Sequence, residues 1–416
     1  MTTAAGQPRR QGAVAGWVAA TRSALDRPLT SYYLLLGAST LLLTIGLMMV
    51  LSASSVYSYE KFGTSYHYFF RQLMWVGIAL PAAIVASRVP HRLLRALAWP
   101  ALFFSTALIG LTQVPGLGKE VNGNTNWLAL GPLTIQPSEF AKLAIILWCA
   151  DLYARKEKLL GDWKHTLIPV VPVTGLITAL VIAGGDLGTA LVLFAIVLGM
   201  LWVVGAPARL FGVSLLAVGA LALFLAGTSQ ERLDRLTNFV DPFKNYEGAG
   251  WQAAHGLFAM SSGGWFGKGI SASQQKWGSL PEAHTDFIFA VLGEELGLAG
   301  TLLVLALFLT IAYAGIRVSL RTRDPFVRYM SAGITIWLTG QMMINIGMVL
   351  ALLPVIGIPL PLVSYGGSAL LPSLLALGLL VSFARSEPGA AAALKARRKR
   401  RSAGVTAGGG LSRRGK

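Results

Sequence analysis

The sequence is poor in cysteine and in charged residues. Cys149 is the only cysteine among 416 residues and lies in an apolar stretch, which excludes an intramolecular disulfide and any metal site built from cysteines. Only 13% of the residues are charged, whereas a soluble globular protein carries about 25%. The composition therefore excludes a soluble enzyme.

Sequence signatures of several enzyme classes are also missing. The five histidines are scattered along the chain. No HExxH motif, no phosphate-binding loop ending in GKS or GKT, and no dinucleotide-binding fingerprint accompanies them. A metalloprotease, a P-loop protein and a Rossmann dehydrogenase are therefore unsupported.

Apolar residues dominate the sequence, at 54% of the chain with a mean hydropathy of +0.61. A helix needs about 20 apolar residues to cross the hydrocarbon core of a bilayer. We predict an all-α polytopic membrane protein with about ten transmembrane helices. The apolar windows lie near residues 33–53, 69–87, 93–113, 138–154, 166–184, 187–204, 209–227, 285–316, 327–352 and 366–385.

The basic residues predict the topology. The chain has 35 Lys and Arg against 18 Asp and Glu, and most of the basic residues fall on one side if both termini are cytoplasmic, where such residues collect. We predict a cytoplasmic tail over residues 1–31, a ten-helix membrane domain over 32–386 and a basic, disordered cytoplasmic tail over 387–416.

The basic C-terminal tail predicts attraction to anionic membrane lipids. Nucleic-acid binding is disfavoured, because no folded basic domain and no aromatic stacking platform accompanies the tail. Docking of a partner protein is the alternative for this segment.

One predicted extracytoplasmic loop, between the seventh and eighth helices over residues 228–284, is far longer than the others. Trp251, Trp265 and Trp277 argue against disorder in it. Together with the glycine-rich stretch 261–269, they predict a folded cap along the outer membrane interface.

A charged pair opens the predicted fourth helix. An ionisable residue within a membrane span is costly and is a candidate for function. Glu139 and Lys142 lie three residues apart, so their side chains can pair on one helix face. Lys142, beside free N–H groups of the helix start, is a candidate anion ligand, and a structural salt bridge is the alternative.

Asp286 is the strongest candidate for catalysis. It precedes an apolar run, so it is expected at membrane level within reach of a water-filled outer cleft. A carboxylate in such surroundings can act as a general base. Glu282, His284 and Thr285 add polar groups beside it. A helix-start aspartate without chemistry is the alternative.

Other polar residues lie at the predicted outer ends of helices. Asp186 either caps the sixth helix or belongs to a site. Arg71 is either an interfacial residue that reaches toward water or a ligand. Glu294 and Glu295 are expected to form hydrogen bonds inside the bundle.

Three prolines and the pair Gly366 and Gly367 forbid a regular helix over residues 354–368. If this backbone enters the membrane, it needs a cavity lined by protein. Gln341 and Asn345, four residues apart, extend the polar lining. The neutral donors of the segment are Ser364, Tyr365 and Ser368.

These motifs together resemble the SEDS family (shape, elongation, division and sporulation). The matching segments are 136–142, 186–190, 235–252, 281–290 and 364–368, in order within residues 30–385. The approach to the first helix at residues 26–33 and the stretch 51–55 resemble the cell-division member more than the elongation member.

The resemblance implies a ten-helix peptidoglycan glycosyltransferase that uses lipid II. It also implies a class B penicillin-binding protein as transpeptidase partner, other division proteins, and a place in the bacterial cytoplasmic membrane at the division septum. Asp286 matches the family's essential loop aspartate, and Glu139 and Lys142 match its helix-four pair.

The chain departs from the family pattern at two places. Gly184 and Gly185 stand before Asp186 where the family usually has Gln-Pro, and Asn126 stands before Trp127 where an arginine is common. These differences weaken a substrate role near Asp186 or Asn126.

The residues and the resemblance together yield one mechanistic hypothesis. Asp286 acts as general base on the acceptor 4-hydroxyl, or as ligand of a divalent cation such as Mg²⁺ or Mn²⁺, with no organic cofactor. Lys142, with Arg71 or Arg235, stabilises the departing pyrophosphate, and Glu139 orients Lys142. The other candidate substrate-binding residues are Asp186, Ser364, Tyr365 and Ser368. The alternatives are a lipid II flippase, an elongation-type polymerase and a non-catalytic division scaffold.

Overall fold

The computed structural model describes residues 27–121, 123–131, 133–227, 239, 241–248, 250–390, 392–393 and 396. Within these residues, helices dominate. They are α1 Thr30–Phe62, α2 His67–Ala86, α3 His91–Thr112, α4 Pro137–Arg155, α5 Trp163–Ala183, α6 Leu187–Val203, α7 Ala208–Gly227, α8 Trp251–Ser262, α9 Ile288–Arg321, α10 Pro325–Val349 and α11 Leu370–Arg385.

Each predicted apolar window overlaps one of the helices α1 to α7 and α9 to α11. In the described part of the chain, seven helices are long and apolar enough to cross a membrane. Helix α6 and residues 208–221 of α7 are apolar but shorter. The prediction of a helical, multi-pass membrane protein is confirmed, and the number of spans stays a prediction.

The all-α prediction is wrong between α3 and α4, where the chain forms a small antiparallel sheet. The strands are β1 Gly118–Val121, β2 Asn124–Leu130 and β3 Leu133–Ile135, in the order β1-β2-β3. Gly123 and Gly131 have positive φ angles of 78° and 61° at the two turns, a conformation that glycine adopts without steric cost. Strands of three to seven residues leave no signal in a search for long apolar windows.

The bundle has two ends. The termini end carries the start of α1 and the end of α11, where the guanidinium of Arg385 lies 5.1 Å from the ring centroid of Tyr32. Nearby, Arg317 near the end of α9 donates to the carbonyl of Arg27 at 3.3 Å. The sheet end carries β1 to β3. The side of the membrane that each end faces stays a prediction, and residues 1–26 and 397–416 lie outside the described residues.

Small residues bring the helices of the core close together. A Cβ added to Gly378 on α11 would collide with the backbone of Ala83 on α2. One added to Gly333 on α10 would meet Ile146 on α4 at 2.6 Å. Such close approach is the usual basis of helix association in membranes, because lipid tails are as apolar as the side chains.

The described part of the long loop is folded, as predicted. Helix α8 presents His255 to Trp251, with ring centroids 4.2 Å apart, and to Tyr246, with centroids 5.5 Å apart. The indole of Trp251 donates to the carbonyl of Ser279 at 2.7 Å, which joins the two parts of the loop. Arg235 and its neighbours over 228–238 lie outside the described residues.

Candidate functional site

Asp286 lies in the turn before α9, at the sheet end, and is half-buried. The side-chain amide of Asn345 on α10 donates to the backbone carbonyl of Asp286 at 2.8 Å and to that of Ile358 at 2.7 Å. A Cβ added to Gly357 would lie 3.4 Å from Oδ2 of Asp286. The carboxylate therefore lies beside a glycine of the connection between α10 and α11.

The chain between α10 and α11 is the element that joins the candidate residues. Residues 351–366 contain no α-helix, as the prolines predicted. The segment passes so close to α1 and α6 that a Cβ on Gly46 would collide with the carbonyl of Leu362, and one on Gly188 with that of Ile356. We call residues 351–366 the hub segment.

Side chains of the protein bind the polar backbone of the hub segment. Gln72 on α2 donates to the carbonyl of Ser364 at 3.3 Å, and the hydroxyl of Ser364 accepts from the amide of Leu360 at 2.8 Å. The amide of Tyr365 donates to the carbonyl of His284 at 2.9 Å. Backbone without regular secondary structure is stable at membrane depth only when protein groups or water satisfy its hydrogen bonds. The predicted need for a protein lining is met.

Glu139 and Lys142 form the predicted ion pair. Nζ of Lys142 lies 2.7 Å from Oε1 of Glu139, and the two side chains are only 1% and 3% exposed. Nζ also donates to Oε1 of Gln341 at 3.1 Å, and Nε2 of Gln341 donates to the carbonyl of Pro359 at 2.9 Å. The pair is thus linked to the hub segment, and Gln341 contributes to the polar lining as predicted.

Asp186 caps helix α6, which confirms one of its two predicted roles. Its Oδ1 accepts from the amide of Thr189 at 2.9 Å. Its Oδ2 accepts from Asn126 and from Gln136, both at 2.8 Å. Asn126, which stands where the resemblance implies an arginine, therefore ties β2 to the start of α6.

Arg71 and Ser368 border the same region from α2 and from the start of α11. Nη2 of Arg71 donates to the hydroxyl of Thr134 on β3 at 3.0 Å. The hydroxyl of Ser368 accepts from the amide of Gln136, just before α4, at 3.0 Å. Both residues thus link the sheet end of the bundle to the elements that surround the hub segment.

His284 lies two residues before Asp286 in a cluster of tyrosines. Its ring centroid is 5.4 Å from that of Tyr57, 4.8 Å from that of Tyr68 and 5.7 Å from that of Tyr365. Burial lowers the pKa of His284 below its usual value. The imidazole is therefore neutral at physiological pH and adds no charge beside Asp286.

Two lysines of the long loop escaped the sequence analysis. Lys268 forms an ion pair with Glu294, and Lys276 forms one with Glu295. Both glutamates are buried and hydrogen-bonded, as predicted. The signal that pointed to the lysines was the presence of two glutamates in an apolar helix, because buried carboxylates need cationic or hydrogen-bonding partners.

The residues that the structure describes contain no group of three or more His, Cys, Asp or Glu side chains able to hold a metal ion. The side-chain carbonyl of Asn345 is buried without a hydrogen-bond partner next to Asp286. Asp286, the predicted metal ligand, is therefore a single carboxylate, which fits a Mg²⁺ or Mn²⁺ ion that takes most of its ligands from substrate and water and does not fit an all-protein cage.

A model of the cell cycle protein family of FtsW, RodA and SpoVE matches residues 32–388. The chain is 42% identical over 374 residues to the probable peptidoglycan glycosyltransferase FtsW of Mycobacterium tuberculosis, covering 90% of this chain and 71% of that protein. It is 37% identical over 354 residues to the stage V sporulation protein E of Bacillus subtilis, covering 85% and 96%.

Solved structures are similar over most of the chain. A peptidoglycan synthase complex, described as coordinating polymerization and crosslinking, contains a chain with a TM-score of 0.69 and 27% identity, covering 85% of this chain and 97% of that one. The rod shape determining protein RodA of Thermus thermophilus has a TM-score of 0.64 and 28% identity, with the same coverage.

Proposed function

The chain belongs to the cell cycle protein family of FtsW, RodA and SpoVE, and on that premise we propose that it polymerises lipid II into glycan strands at the outer face of the bacterial cytoplasmic membrane. The observation that carries the proposal is the half-buried Asp286, which faces Gly357 beside the hub segment. The sheet end is then the extracytoplasmic end, and both chain termini are cytoplasmic.

Asp286 is the general base in this proposal. The 4-oxygen of the acceptor sugar attacks C1 of the lipid-linked donor, the bond from C1 to the pyrophosphate breaks, and C1 inverts. The carboxylate takes the proton of the attacking hydroxyl, a contribution typically worth ~10²- to 10⁴-fold in rate. Its position between Asn345 and Gly357 supports this role, because a bond to its backbone holds it while its side chain faces a residue without a side chain.

The departing pyrophosphate needs positive charge. Arg71, half-buried beside β3, is the candidate for direct contact, with Arg235 as a second. Lys142 is almost fully buried, so we assign it and Glu139 an indirect role at the substrate site. The pair contacts Gln341, which binds the hub segment, and in this way it supports the backbone that borders the site. The remaining proposed substrate-binding residues are Asp186, Ser364, Tyr365 and Ser368.

A divalent cation is part of the proposal. Asp286 would hold Mg²⁺ or Mn²⁺, and the ion would neutralise charge on the leaving group. In this form of the proposal Asp286 serves as ligand of the ion, the alternative to its role as general base.

The partner in this proposal is a class B penicillin-binding protein that cross-links the strands. The similarity to a chain of a peptidoglycan synthase complex supports this choice. The similarity to relatives named FtsW supports a role at the division septum together with other division proteins. It favours that role over the elongation role of a RodA-like polymerase.

The test is polymerisation of fluorescent lipid II by the purified chain bound to its class B partner. We expect glycan strands from the wild type and none above background from Asp286→Asn, which keeps the shape of the side chain. Chelation is expected to stop the wild type, and Mg²⁺ or Mn²⁺ to restore it. Wild-type complex that makes no strands but moves lipid II across vesicles would replace the proposal with a flippase. Equal polymerisation by Asp286→Asn would contradict the role of Asp286.

A further inference from the structure

Helix α9 is interrupted close to Asp286. Gly297 has φ 67° and ψ −165°, outside the helical region, so residues 288–296 form a short helical segment separate from residues 298–321. This short segment begins two residues after Asp286. Because an interrupted helix leaves backbone carbonyls and amides without helical partners, the break needs hydrogen bonds from elsewhere.

The long loop supplies these hydrogen bonds. The amides of Lys268 and Gly269 donate to the carbonyls of Glu294 and Glu295, each at 3.0 Å. Beyond the break, the amide of Leu298 donates to a loop carbonyl at 2.9 Å. A Cβ added to Gly297 would collide with the loop backbone, so only glycine permits this approach.

Glu294 binds the loop a second time through its side chain. The carboxylate is fully buried, and it accepts from Nζ of Lys268 at 2.7 Å and from the hydroxyl of Ser273 at 2.6 Å. The amides of Gln274 and Gln275 donate to it at 3.1 and 3.3 Å. With the hydroxyl of Ser262, which donates at 3.3 Å, five donors from one loop converge on one carboxylate of the short segment.

Glu295 binds both the loop and helix α1. Its carboxylate oxygens accept from the hydroxyl of Ser52 at 2.6 and 2.8 Å and from Nζ of Lys276 at 3.2 Å. Lys276 also donates to Ser52 at 3.1 Å and to the carbonyl of Ser271 at 2.8 Å. We call Glu294, Glu295, Lys268, Lys276 and Ser52 the clasp.

We propose that the clasp positions Asp286 for catalysis, an inference that rests on the proposed function. The short segment is held at one end by the hydrogen bond from Asn345 to Asp286 and at the other by the clasp. Without the clasp side chains, the backbone hydrogen bonds of the loop and the core packing of residues 288–292 remain, but the orientation of the segment about Gly297 is less restricted, and Asp286 shifts relative to Gly357 and the acceptor hydroxyl. A displacement of about 1 Å can cost ~10²-fold in rate.

The clasp is better explained by positioning than by stability. Burying ionic groups costs desolvation energy, and replacing a buried pair by neutral side chains of similar volume is often neutral or stabilising. Two adjacent glutamates, each with its own lysine, restrict the segment to one orientation relative to both the loop and α1. The clasp residues are positioning residues, since they do not contact the reacting atoms.

The first test separates orientation from folding. We expect the double variant Lys276→Met/Glu295→Gln to stay folded and bound to its partner, with kcat reduced about tenfold and KM within about twofold of the wild type. Lys276→Arg is expected to retain most of kcat, because it keeps the charge and the donors. The matched control is Glu157→Gln/Arg328→Met, an exposed pair of the termini end, with kcat unchanged.

The second test measures how accessible residue 286 is to a chemical label, and it does not depend on enzymatic activity. In a Cys149→Ala background, an Asp286→Cys variant is labelled with a water-soluble maleimide, and the same is done in the clasp double variant. We expect labelling to become several-fold faster when the clasp is removed. Wild-type kcat in the folded double variant overturns the proposal, whatever the labelling shows. If the wild type does not polymerise lipid II, the proposed function is overturned instead. If, in that case, the double variant is also labelled at the same rate as the parent, the control of residue 286 by the clasp is overturned as well.

Discussion

The two ends of the bundle use ion pairs differently. At the sheet end, the pairs of Lys142 with Glu139 and of Lys276 with Glu295 have both partners buried. At the termini end, a buried Asp151 binds two arginines that water reaches. Those arginines are Arg95 and Arg155. The pair of Arg328 with Glu157 at this end is partly exposed on both sides, and the buried pair of Arg317 with Glu387 is longer, at 3.7 Å.

The difference teaches where conformational restriction matters in this molecule. Exposed pairs contribute about 0–1 kcal/mol and are replaceable. Fully buried pairs need accurate geometry, because their attraction must offset the free-energy cost of removing both charges from water. The two buried pairs of the sheet end lie beside the irregular hub segment and the broken helix α9, where regular secondary structure does not hold the backbone. The buried pair of the termini end, Arg317 with Glu387, joins helix α9 to the chain just after α11 and has the longer distance of 3.7 Å. The termini end joins its helices by short connections and has less need of closely paired buried charges.

The largest expected effect is the loss of Lys142. Lys142→Ala leaves Glu139 buried without its cation, which is expected to lower the free energy of unfolding by about 3–5 kcal/mol. The double variant Glu139→Gln/Lys142→Met is expected to lose less. Thermal unfolding in lipid nanodiscs measures both. Arg155→Ala at the termini end is the control, with an expected loss below about 1 kcal/mol, and an equal loss in the two single variants would contradict the comparison.

Two glycines with positive φ, one beside Asp286 and one away from it, allow a second comparison between regions of the molecule. Gly357 has φ 72° and faces Asp286, whereas Gly205 has φ 84° and nothing within 4 Å of an added Cβ. Changing either to Ala is expected to cost about 1–2 kcal/mol, the steric cost of left-handed backbone. Polymerisation per folded protein is expected to fall, by up to about tenfold, for Gly357→Ala alone, because its Cβ comes into van der Waals contact with Oδ2 of Asp286, the proposed base. A similar fall for Gly205→Ala would show that backbone strain alone is responsible.

A smaller effect is expected from the titration of His284. Burial lowers the pKa of this imidazole, so the unfolded chain binds its proton at higher pH than the folded one does. The resulting stability is present above the unfolded pKa of about 6.5 and is lost as pH falls toward the lower folded pKa. Thermal midpoints of wild type and His284→Phe between about pH 7.5 and pH 5.5 measure the difference. The wild type is expected to lose more stability on acidification, and parallel curves would refute this origin.

The smallest effect is expected at an exposed pair of the termini end. Arg328→Ala removes a contact of 3.2 Å to Glu157 and is expected to change the free energy of unfolding by less than about 1 kcal/mol. Polymerisation is expected to be unchanged. A loss of activity with stability intact would indicate that the termini end takes part in the reaction.

Local patterns explain what sequence analysis predicted well. The helices follow from long apolar windows, the pair of Glu139 and Lys142 from a spacing of three residues, and the cap by Asp186 from its place before a helix. The irregular hub segment follows from its prolines and glycines. Each of these features depends on neighbours in the chain.

Long-range contacts explain what was missed. Ser52 and Glu295 are 243 residues apart, and nothing in either neighbourhood indicates the other. Gly297 lies within an apolar window, where a single glycine is compatible with a continuous helix, so the break in α9 left no signal. The short strands were missed for a different reason: they pair with their neighbours in the chain, but three to seven residues are too few to register in a search for long apolar windows.

The central claim is that the chemistry lies at the sheet end, on Asp286. The most direct test compares initial rates of lipid II polymerisation for the partner-bound wild type, Asp286→Ala and Asp151→Ala, each normalised to folded protein. Asp151 is the matched carboxylate of the termini end. We predict no strands above background from Asp286→Ala and a rate within about threefold of wild type from Asp151→Ala. Strands from Asp286→Ala at the wild-type rate would contradict the account.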